Sequence, residues 1–127
     1  AQKCFKEVTY HVRRSTDLMI RLGDGTEESH RRMQDAIDAL WMYTGELFTA
    51  DALDQVMQAN GIAPDLGELQ QKWQQHVTEV MREATLQLPA SGLWMQGGGK
   101  QGRHTEHLGY LLAEMQFLQR TYPGASW

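Results

Sequence analysis

The amino-acid sequence predicts an all-α protein, and two observations lead to this fold class. Apolar residues recur at intervals of three or four along most of the chain, the spacing that places them on one face of a helix. These segments are separated by short stretches containing Gly, Asn or Pro. The alternating pattern of a half-buried strand is absent from the sequence. The 127 residues suffice for one domain and are too few for two domains of ordinary size.

The first two predicted helices are separated by a glycine-containing turn at residues 23–25. Thr26 is expected to cap the second helix, with carboxylates following in its first turn, where the helix dipole favours them. The apolar face of the first helix consists of Phe5, Val8, Val12, Met19 and Leu22. The face of the second runs through Met33, Ala36, Ile37, Leu40, Thr44, Leu47 and Phe48. The pattern therefore predicts a second helix that continues to about residue 48.

Three further helices complete the prediction of about five. Thr49 is expected to cap a short third helix that stops at residues 60–61, an Asn-Gly pair typical of helix ends. Asp65, followed three residues later by Glu68, has the chemistry of a capping box and opens the fourth helix, which Pro89 is expected to end. The apolar face of the last helix is Leu108, Leu111, Leu112, Met115 and Leu118, and Tyr122-Pro123-Gly124 terminates it. The five glycines of residues 91–103 predict a flexible loop before this helix.

Composition and charge exclude several classes of function. The 12 basic and 16 acidic residues give a net charge of −4, which argues against nucleic-acid binding and against a polybasic membrane anchor. No apolar run approaches the roughly 18 residues of a membrane helix. A single cysteine, Cys4, forms no internal disulfide and favours a reducing, cytoplasmic compartment. The chain begins without Met and shows no secretory leader, so we expect it to be a fragment of a cytoplasmic protein.

Two carboxylate–imidazole pairs have the spacing of one helical turn and are candidate metal ligands. Glu27 and His30 are three residues apart, the unit that di-iron bundles use twice together with two further glutamates. The simpler interpretation is that Glu27 serves the helix N-terminus and His30 is a partly exposed residue of the first turn. Glu7 and His11 flank the apolar face of the first helix and also fit an ordinary polar pair beside a core.

Two other segments suggest a site only weakly. Residues 104–107 read His-Thr-Glu-His, which suggests a metal cluster and fits a polar helix start equally well. Residues 97–100 read Gly-Gly-Gly-Lys, but they lack the ending of a phosphate loop and no strand precedes them.

Several long motifs resemble a known family. They are Lys6-Glu7-Val8-x-Tyr10-His11-x-Arg13, Arg21-Leu22-Gly23-Asp24-Gly25-Thr26, Leu40-Trp41-x-x-Thr44-x-Glu46-Leu47-Phe48, His104-Thr105-Glu106-His107-Leu108-Gly109, and Leu112-Ala113-Glu114-Met115-Gln116-x-Leu118-Gln119-Arg120 with Pro123-Gly124 and Trp127. Together they resemble the C-terminal half of the C subunits of bacterial phenylacetyl-CoA 1,2-epoxidases. These epoxidases are the ring-activating monooxygenase complexes of phenylacetate degradation. The resemblance covers essentially all of residues 1–127.

The resemblance implies the C-terminal part of a single ferritin-like helical bundle. In that family the related A subunit holds the di-iron centre that activates oxygen, and a separate reductase subunit delivers electrons from NADPH. The C subunit is regarded as structural, pairing with the A subunit and supporting it. The expected partners are therefore the catalytic A subunit, the N-terminal half of the same bundle and the other subunits of the complex. No cofactor is expected in this subunit.

The resemblance also implies a degenerate metal site. Where active relatives carry Glu-x-x-His on a core helix, this sequence has Val8 and His11. Valine offers no oxygen donor, and Glu7 lies about 100° around the helix from it. We therefore expect neither catalytic nor metal-binding residues here. The pair of Glu27 and His30 falls outside the ligand-bearing helices and is discounted.

The leading hypothesis is a non-catalytic structural subunit of the epoxidase complex, not an enzyme on its own. The alternative is a di-iron oxygenase subunit in its own right that uses Glu7, His11, Glu27 and His30. A helical interaction module of another family is a third possibility. Lys100 and Arg103 are candidate contacts to a phosphate of coenzyme A, although a solvated loop is the commoner explanation for such residues.

Overall fold

The structure, a computed structural model, describes residues 2–126, with Gln2 described in its backbone alone. Ala1 and Trp127, the last residue of the terminal motif, lie outside the described residues. The predicted all-α class is confirmed over this range, which contains no strand. Its six α-helices are α1 (Gln2–Gly23), α2 (Glu27–Leu40), α3 (Ala52–Ala59), α4 (Leu66–Glu83), α5 (His107–Met115) and α6 (Phe117–Thr121). In the described part of the chain, no helix is both long enough and apolar enough to span a membrane.

The chain divides into two compact units, one ending at Gln96 and one beginning at Gly97. The first unit contains α1 to α4, together with two 3₁₀ turns, Trp41–Tyr43 and Gly45–Phe48, that follow α2. The second contains a 3₁₀ turn at Gly99–Gln101 followed by α5 and α6.

The core of the first unit lies where α1, α2 and the end of α4 meet. Its buried side chains in the described range are Met81, Ala84 and Leu86. Half-buried side chains packed around them come from all three helices and from the segment after α4: Met19, Ile20, Met33, Ile37, Val77 and Leu88. A core this small leaves most of the apolar side chains of the unit partly or largely exposed.

The end of α4 forms this core through a Schellman motif. The Leu86 backbone N–H donates to the Met81 carbonyl at 2.9 Å, and the Thr85 N–H donates to the Arg82 carbonyl at 3.3 Å. The motif brings the Leu86 side chain back towards Met81, so that both are buried. It also requires a left-handed backbone at Thr85, whose φ is +59°, an unusual conformation for a β-branched residue.

Helix α1 lies directly against the C-terminal end of α4 at Gly23. A Cβ atom at this position would lie 2.4 Å from the Ala84 carbonyl oxygen and 2.9 Å from Cδ1 of Leu86. Closer to the N-termini of both helices, Thr16 Oγ1 and His76 Nε2 share a hydrogen bond of 3.3 Å. Thr16 precedes Gly23 along α1, and His76 precedes Ala84 along the fourth helix segment, so α1 and α4 run parallel.

Several predicted helix boundaries are confirmed. Thr26 caps α2 by accepting a hydrogen bond from the Ser29 N–H, and the Ser29 hydroxyl completes a capping box. Asp65 caps α4 by accepting from the Glu68 N–H at 2.8 Å. The third helix ends at Ala59 with Asn60 as its C-cap, and Gly61 takes a positive φ of 68°.

Other predicted boundaries are wrong. The second helix ends at Leu40 rather than near residue 48, because the chain tightens into 3₁₀ turns in which the Thr44 hydroxyl donates to the Trp41 carbonyl at 2.8 Å. The third helix is capped by Asp51, not by Thr49, because Asp51 and Asp54 form a reciprocal capping box.

The ends of the last two predicted helices also differ from expectation. Helix α4 stops at Glu83, six residues before Pro89, because the Schellman motif turns the chain. The predicted last helix is two helices, separated at Gln116, whose φ of −100° and ψ of 7° leave the helical range.

Candidate functional site

The N-terminal part of α1 presents an apolar surface that the described residues do not cover. Phe5, Val8 and Val12 lie within about 60° of one another around the helix and on the same side as Met19, which packs against the core. Phe5 is 71% exposed and Val8 is 56% exposed. We call Phe5, Val8 and Val12 the α1 stripe. It continues the buried side of α1 beyond the part that α2 and α4 cover.

The predicted metal-site positions lie at this stripe and do not form a metal site within the described chain. Glu7, Val8 and His11 are all exposed. The His11 ring packs edge-on against the Tyr10 ring, with centroids 5.8 Å apart. Residues 2–126 contain no group of three or more His, Cys, Asp or Glu side chains placed to hold a metal ion. A di-iron centre of a helical bundle takes carboxylates and imidazoles from four helices, and Glu7 and His11 both belong to α1.

His30 occupies a structural junction. Its Nδ1 lies 2.7 Å from the Gly23 carbonyl oxygen, and since a carbonyl only accepts, the imidazole donates this bond. The Thr85 hydroxyl lies 3.4 Å from both the same nitrogen and the same carbonyl. His30 thus ties α2 to the last turn of α1 and to the chain after α4. Its predicted neighbour Glu27 is exposed in the first turn of α2.

The candidate phosphate-binding residues lie in a hydrogen-bonded turn of the second unit. The predicted flexibility of residues 91–103 stays a prediction. The Arg103 N–H donates to the Gly98 carbonyl at 2.8 Å and closes the turn around Lys100. Gly98 and Gly102 both have positive φ, and the aliphatic part of Arg103 lies against Gly98, where a Cβ would approach Cδ of Arg103 to 2.7 Å. The side chains of Lys100 and Arg103 are exposed. Their role towards a phosphate stays a prediction.

The His-Thr-Glu-His segment opens the second unit's main helix. Glu106 precedes the first residue of α5, His107, and makes no side-chain capping bond. His104, Glu106 and His107 are exposed and belong to no group of described residues that could hold a metal.

A cavity of about 270 Å³ is the feature that sequence reasoning missed. Three rings line it, with the Trp73 ring centroid 5.7 Å from that of Trp41 and 5.3 Å from that of Phe48. Residues 88–92 and Met95 form the facing wall. Of these aromatic residues, Phe48 falls on the predicted apolar face of the second helix. That position gives no signal of a cavity, because the cavity depends on the path of the chain after α4.

Comparison with known proteins assigns the chain to a family. The model of the family described as "Phenylacetic acid catabolic protein" matches residues 1–127. The chain is also 47% identical over 125 residues to the C subunit of the 1,2-phenylacetyl-CoA epoxidase of Escherichia coli (strain K12), an alignment covering 98% of this chain and 50% of that protein. The chain thus spans about half the length of the relative that it matches. This sequence belongs to the phenylacetic acid catabolic protein family.

Proposed function

We propose that this chain is part of a non-catalytic structural subunit of a phenylacetyl-CoA epoxidase, a cytoplasmic monooxygenase complex of aerobic phenylacetate degradation. Its role is to pair with the di-iron catalytic subunit and support it, together with the remainder of its own ferritin-like bundle and the other subunits. The family match and the 47% identity to an epoxidase C subunit support this assignment. NADPH reaches the complex through a reductase subunit, and this subunit holds no cofactor of its own.

The α1 stripe is the observation that carries the proposal. It lies on the same side of α1 as Met19, which packs against the core. The stripe is exposed because it lies beyond the part of α1 that α2 and α4 cover. Covering a Phe or Val side chain contributes about 1.5–3 kcal/mol. Burying the three side chains of the stripe therefore strongly favours the packing of a further helix there. That helix comes from a partner or from the rest of the bundle. Bundles of the ferritin type complete their cores in this way, from facing helices.

The chemistry of the same helix argues for a supporting role. Val8 stands where the catalytic relatives are expected to have a carboxylate, and a hydrocarbon side chain cannot coordinate iron. Glu7 is displaced by about 100° around α1. The alternative, a di-iron oxygenase subunit in its own right, requires Glu7, His11, Glu27 and His30 to act together, and His30 already donates to the Gly23 carbonyl.

Two charge insertions on one helix test the stripe. In the full-length protein, which joins this sequence to the remainder of its bundle, Val8→Asp should weaken assembly with the catalytic subunit or loosen the bundle, because a carboxylate would be buried without a partner. Tyr10→Asp is the matched control, since Tyr10 is 61% exposed and lies about 160° around α1 from Val8. The measurements are the yield of complex on size-exclusion chromatography and urea unfolding. Equal effects of the two substitutions would overturn the assignment of the stripe as an interface.

Metal analysis distinguishes the structural role from the alternative. The purified full-length subunit should contain no stoichiometric iron, and His11→Ala should leave epoxidation by the assembled complex near the parent level. If one or two equivalents of iron co-purified with this subunit and His11→Ala removed them, the subunit would be an oxygenase in its own right.

Lys100 and Arg103 extend the proposal to the substrate. We propose that they contact a phosphate of coenzyme A, because the turn of Gly98 to Arg103 places two basic side chains in one short loop. Lys100→Gln with Arg103→Gln should raise KM for the coenzyme A ester while kcat is unchanged. An unchanged KM would contradict the phosphate contact and would show that Lys100 and Arg103 belong to a solvated turn.

A further inference from the structure

The cavity beside Trp73 is preformed, because the chain segment that walls it is fixed at both ends. At one end, the Gln87 backbone N–H donates to Oε1 of Gln34 at 2.9 Å, and Nε2 of Gln34 donates back to the Gln87 carbonyl at 3.1 Å. At the other end, the Gln96 N–H donates to the Met42 carbonyl at 2.8 Å. Residues 88–95 are therefore held across the cavity by three hydrogen bonds from residues outside its lining.

Close packing at Gly45 fixes one edge of the cavity. A Cβ at Gly45 would lie 2.8 Å from Cγ of Met95, so the absence of a side chain at this position lets the Met95 segment lie directly against the 3₁₀ turn. Residue 45 therefore places no side chain between the Met95 segment and the 3₁₀ turn that contains Gly45. The volume of the cavity, about 270 Å³, is slightly below the lower end of the usual range for small-molecule pockets.

The lining carries no ionisable side chain. Its polar side chains are Thr44, Gln70, Gln74 and Ser91, all uncharged, and the other lining residues are aromatic, aliphatic, Met or Gly. A charged ligand entering the cavity would give up hydration without meeting an opposite charge, which is strongly unfavourable. The lining therefore selects neutral compounds. The tilted rings of Trp41, Trp73 and Phe48 in turn favour a flat aromatic ring, because such rings gain from offset and edge-on contact.

Hydrogen-bond donors at the lining define a second feature of the ligand. The indole N–H groups of Trp41 and Trp73 and the side-chain amides of Gln70 and Gln74 have no hydrogen-bond partner among residues 2–126. Indole offers only a donor, and a primary amide offers two donors and an acceptor. A ligand with an uncharged oxygen acceptor matches this set.

We propose that this cavity binds a neutral, single-ring aromatic compound that carries an uncharged polar group such as an amide. The inference rests on the three rings, the lack of charge in the lining and the fixed wall. It is independent of the proposed structural role, since a supporting subunit has no need of such a site.

Benzamide is a suitable probe, with two compounds that change one property each. Cyclohexanecarboxamide keeps the amide and loses the aromatic ring, and benzoate keeps the ring and adds a charge. Binding to the full-length protein is measured by saturation-transfer NMR and by the change in tryptophan fluorescence. We expect saturable benzamide binding, at least tenfold tighter than that of either analogue. A failure to saturate, or equal binding of benzoate, would overturn the proposal, including the case in which another protein segment fills the cavity.

Matched variants locate the binding. Trp73→Leu should weaken benzamide binding at least tenfold, whereas Trp94→Leu should leave it unchanged, because Trp94 is 67% exposed and does not line the cavity. Ala90→Trp provides a second variant, which fills the cavity from an exposed position and should abolish binding even if Trp73→Leu does not fold. Binding that survives Ala90→Trp would place the ligand elsewhere and refute the proposal.

Discussion

Gly23 is the position at which a single added methyl group should disturb the fold most directly. In Gly23→Ala the new Cβ would lie 2.4 Å from the Ala84 carbonyl oxygen, 2.8 Å from the Ala84 Cβ and 2.9 Å from Cδ1 of Leu86. Favourable contacts between such atoms begin near 3.5 Å. Two of the three atoms belong to the backbone or to a one-carbon side chain, so they cannot turn away. Relief therefore requires the end of α1 to move by about 1 Å from α4.

The cost of that movement follows from what meets at the junction. Overpacking in a well-packed core typically costs about 1–3 kcal/mol. The movement also loosens the 2.7 Å hydrogen bond from His30 to the Gly23 carbonyl, a bond with a net contribution of about 1 kcal/mol. Against this, replacing glycine by alanine in a helix gains about 0.5–1 kcal/mol. We expect Gly23→Ala to lower the free energy of unfolding by about 2 kcal/mol.

The assay is urea unfolding of the full-length protein, with Gly109→Ala as the matched control. A Cβ at Gly109 meets no described atom within 4 Å, so the same substitution within α5 should stabilise by about 0.5–1 kcal/mol. Adding Ala84→Gly to Gly23→Ala should restore part of the loss, because it removes the Cβ contact and leaves the carbonyl contact. A Gly23→Ala variant within about 0.5 kcal/mol of the parent would refute the close approach of α1 and α4.

Three further predictions concern the helix ends and the dependence on partners. Thr85→Gly should stabilise the protein by about 1 kcal/mol on thermal unfolding, because glycine adopts a φ of +59° without strain, whereas Thr85→Val should not stabilise it. The Glu68 backbone N–H, and then the Gln58 side chain, lower the pKa of Asp65 below its ordinary 3.8, so the charged carboxylate stabilises α4 above the unfolded-state pKa and this contribution is lost as pH falls through the folded-state pKa. Acid titration of urea unfolding should therefore show a smaller gap between the parent and Asp65→Asn at low pH than at neutral pH, and a constant gap would contradict the cap. Residues 1–127 expressed alone should aggregate or unfold without a sharp transition, and a monodisperse monomer with a sharp, reversible melt would show a self-sufficient domain.

The two Schellman motifs show what sequence reasoning detects at a helix end. At the end of α3 the Ile62 N–H donates to the Met57 carbonyl at 3.0 Å and the Gly61 N–H donates to the Gln58 carbonyl at 2.9 Å. The left-handed position is Gly61, and the sequence predicts the stop at the correct place. At the end of α4 the same hydrogen bonds form around Thr85, a residue with no preference for that conformation. The sequence therefore carries no local signal there, and the predicted helix runs on to Pro89. Tertiary packing of Leu86 against Met81 decides this boundary.

The cavity, like the end of α4, depends on tertiary packing and not on a local sequence signal. Trp41 and Trp73 lie in segments that the sequence predicts to be amphipathic helices, and both are half-buried. Whether their rings line a filled core or an open cleft depends on where residues 88–95 cross, and that path is set by Gln34, a polar residue of α2 with no distinguishing feature in the sequence. A hydrophobic pattern identifies which side chains avoid water but contains no information about the volume left between them.

The α1 stripe shows a further property of periodicity. Phe5, Val8 and Val12 belong to the same helical face as Met19, and the sequence predicts that face without distinguishing its two halves. In the structure Met19 packs on the core and the stripe lies exposed, although nothing in its spacing changes. The apolar face of a helix reflects every segment that packs on it in the assembled protein, including segments and chains other than this one. Under the proposed structural role, the exposed half of this face is covered by a neighbouring helix in the assembled protein, and that helix covers about three side chains along two turns of α1.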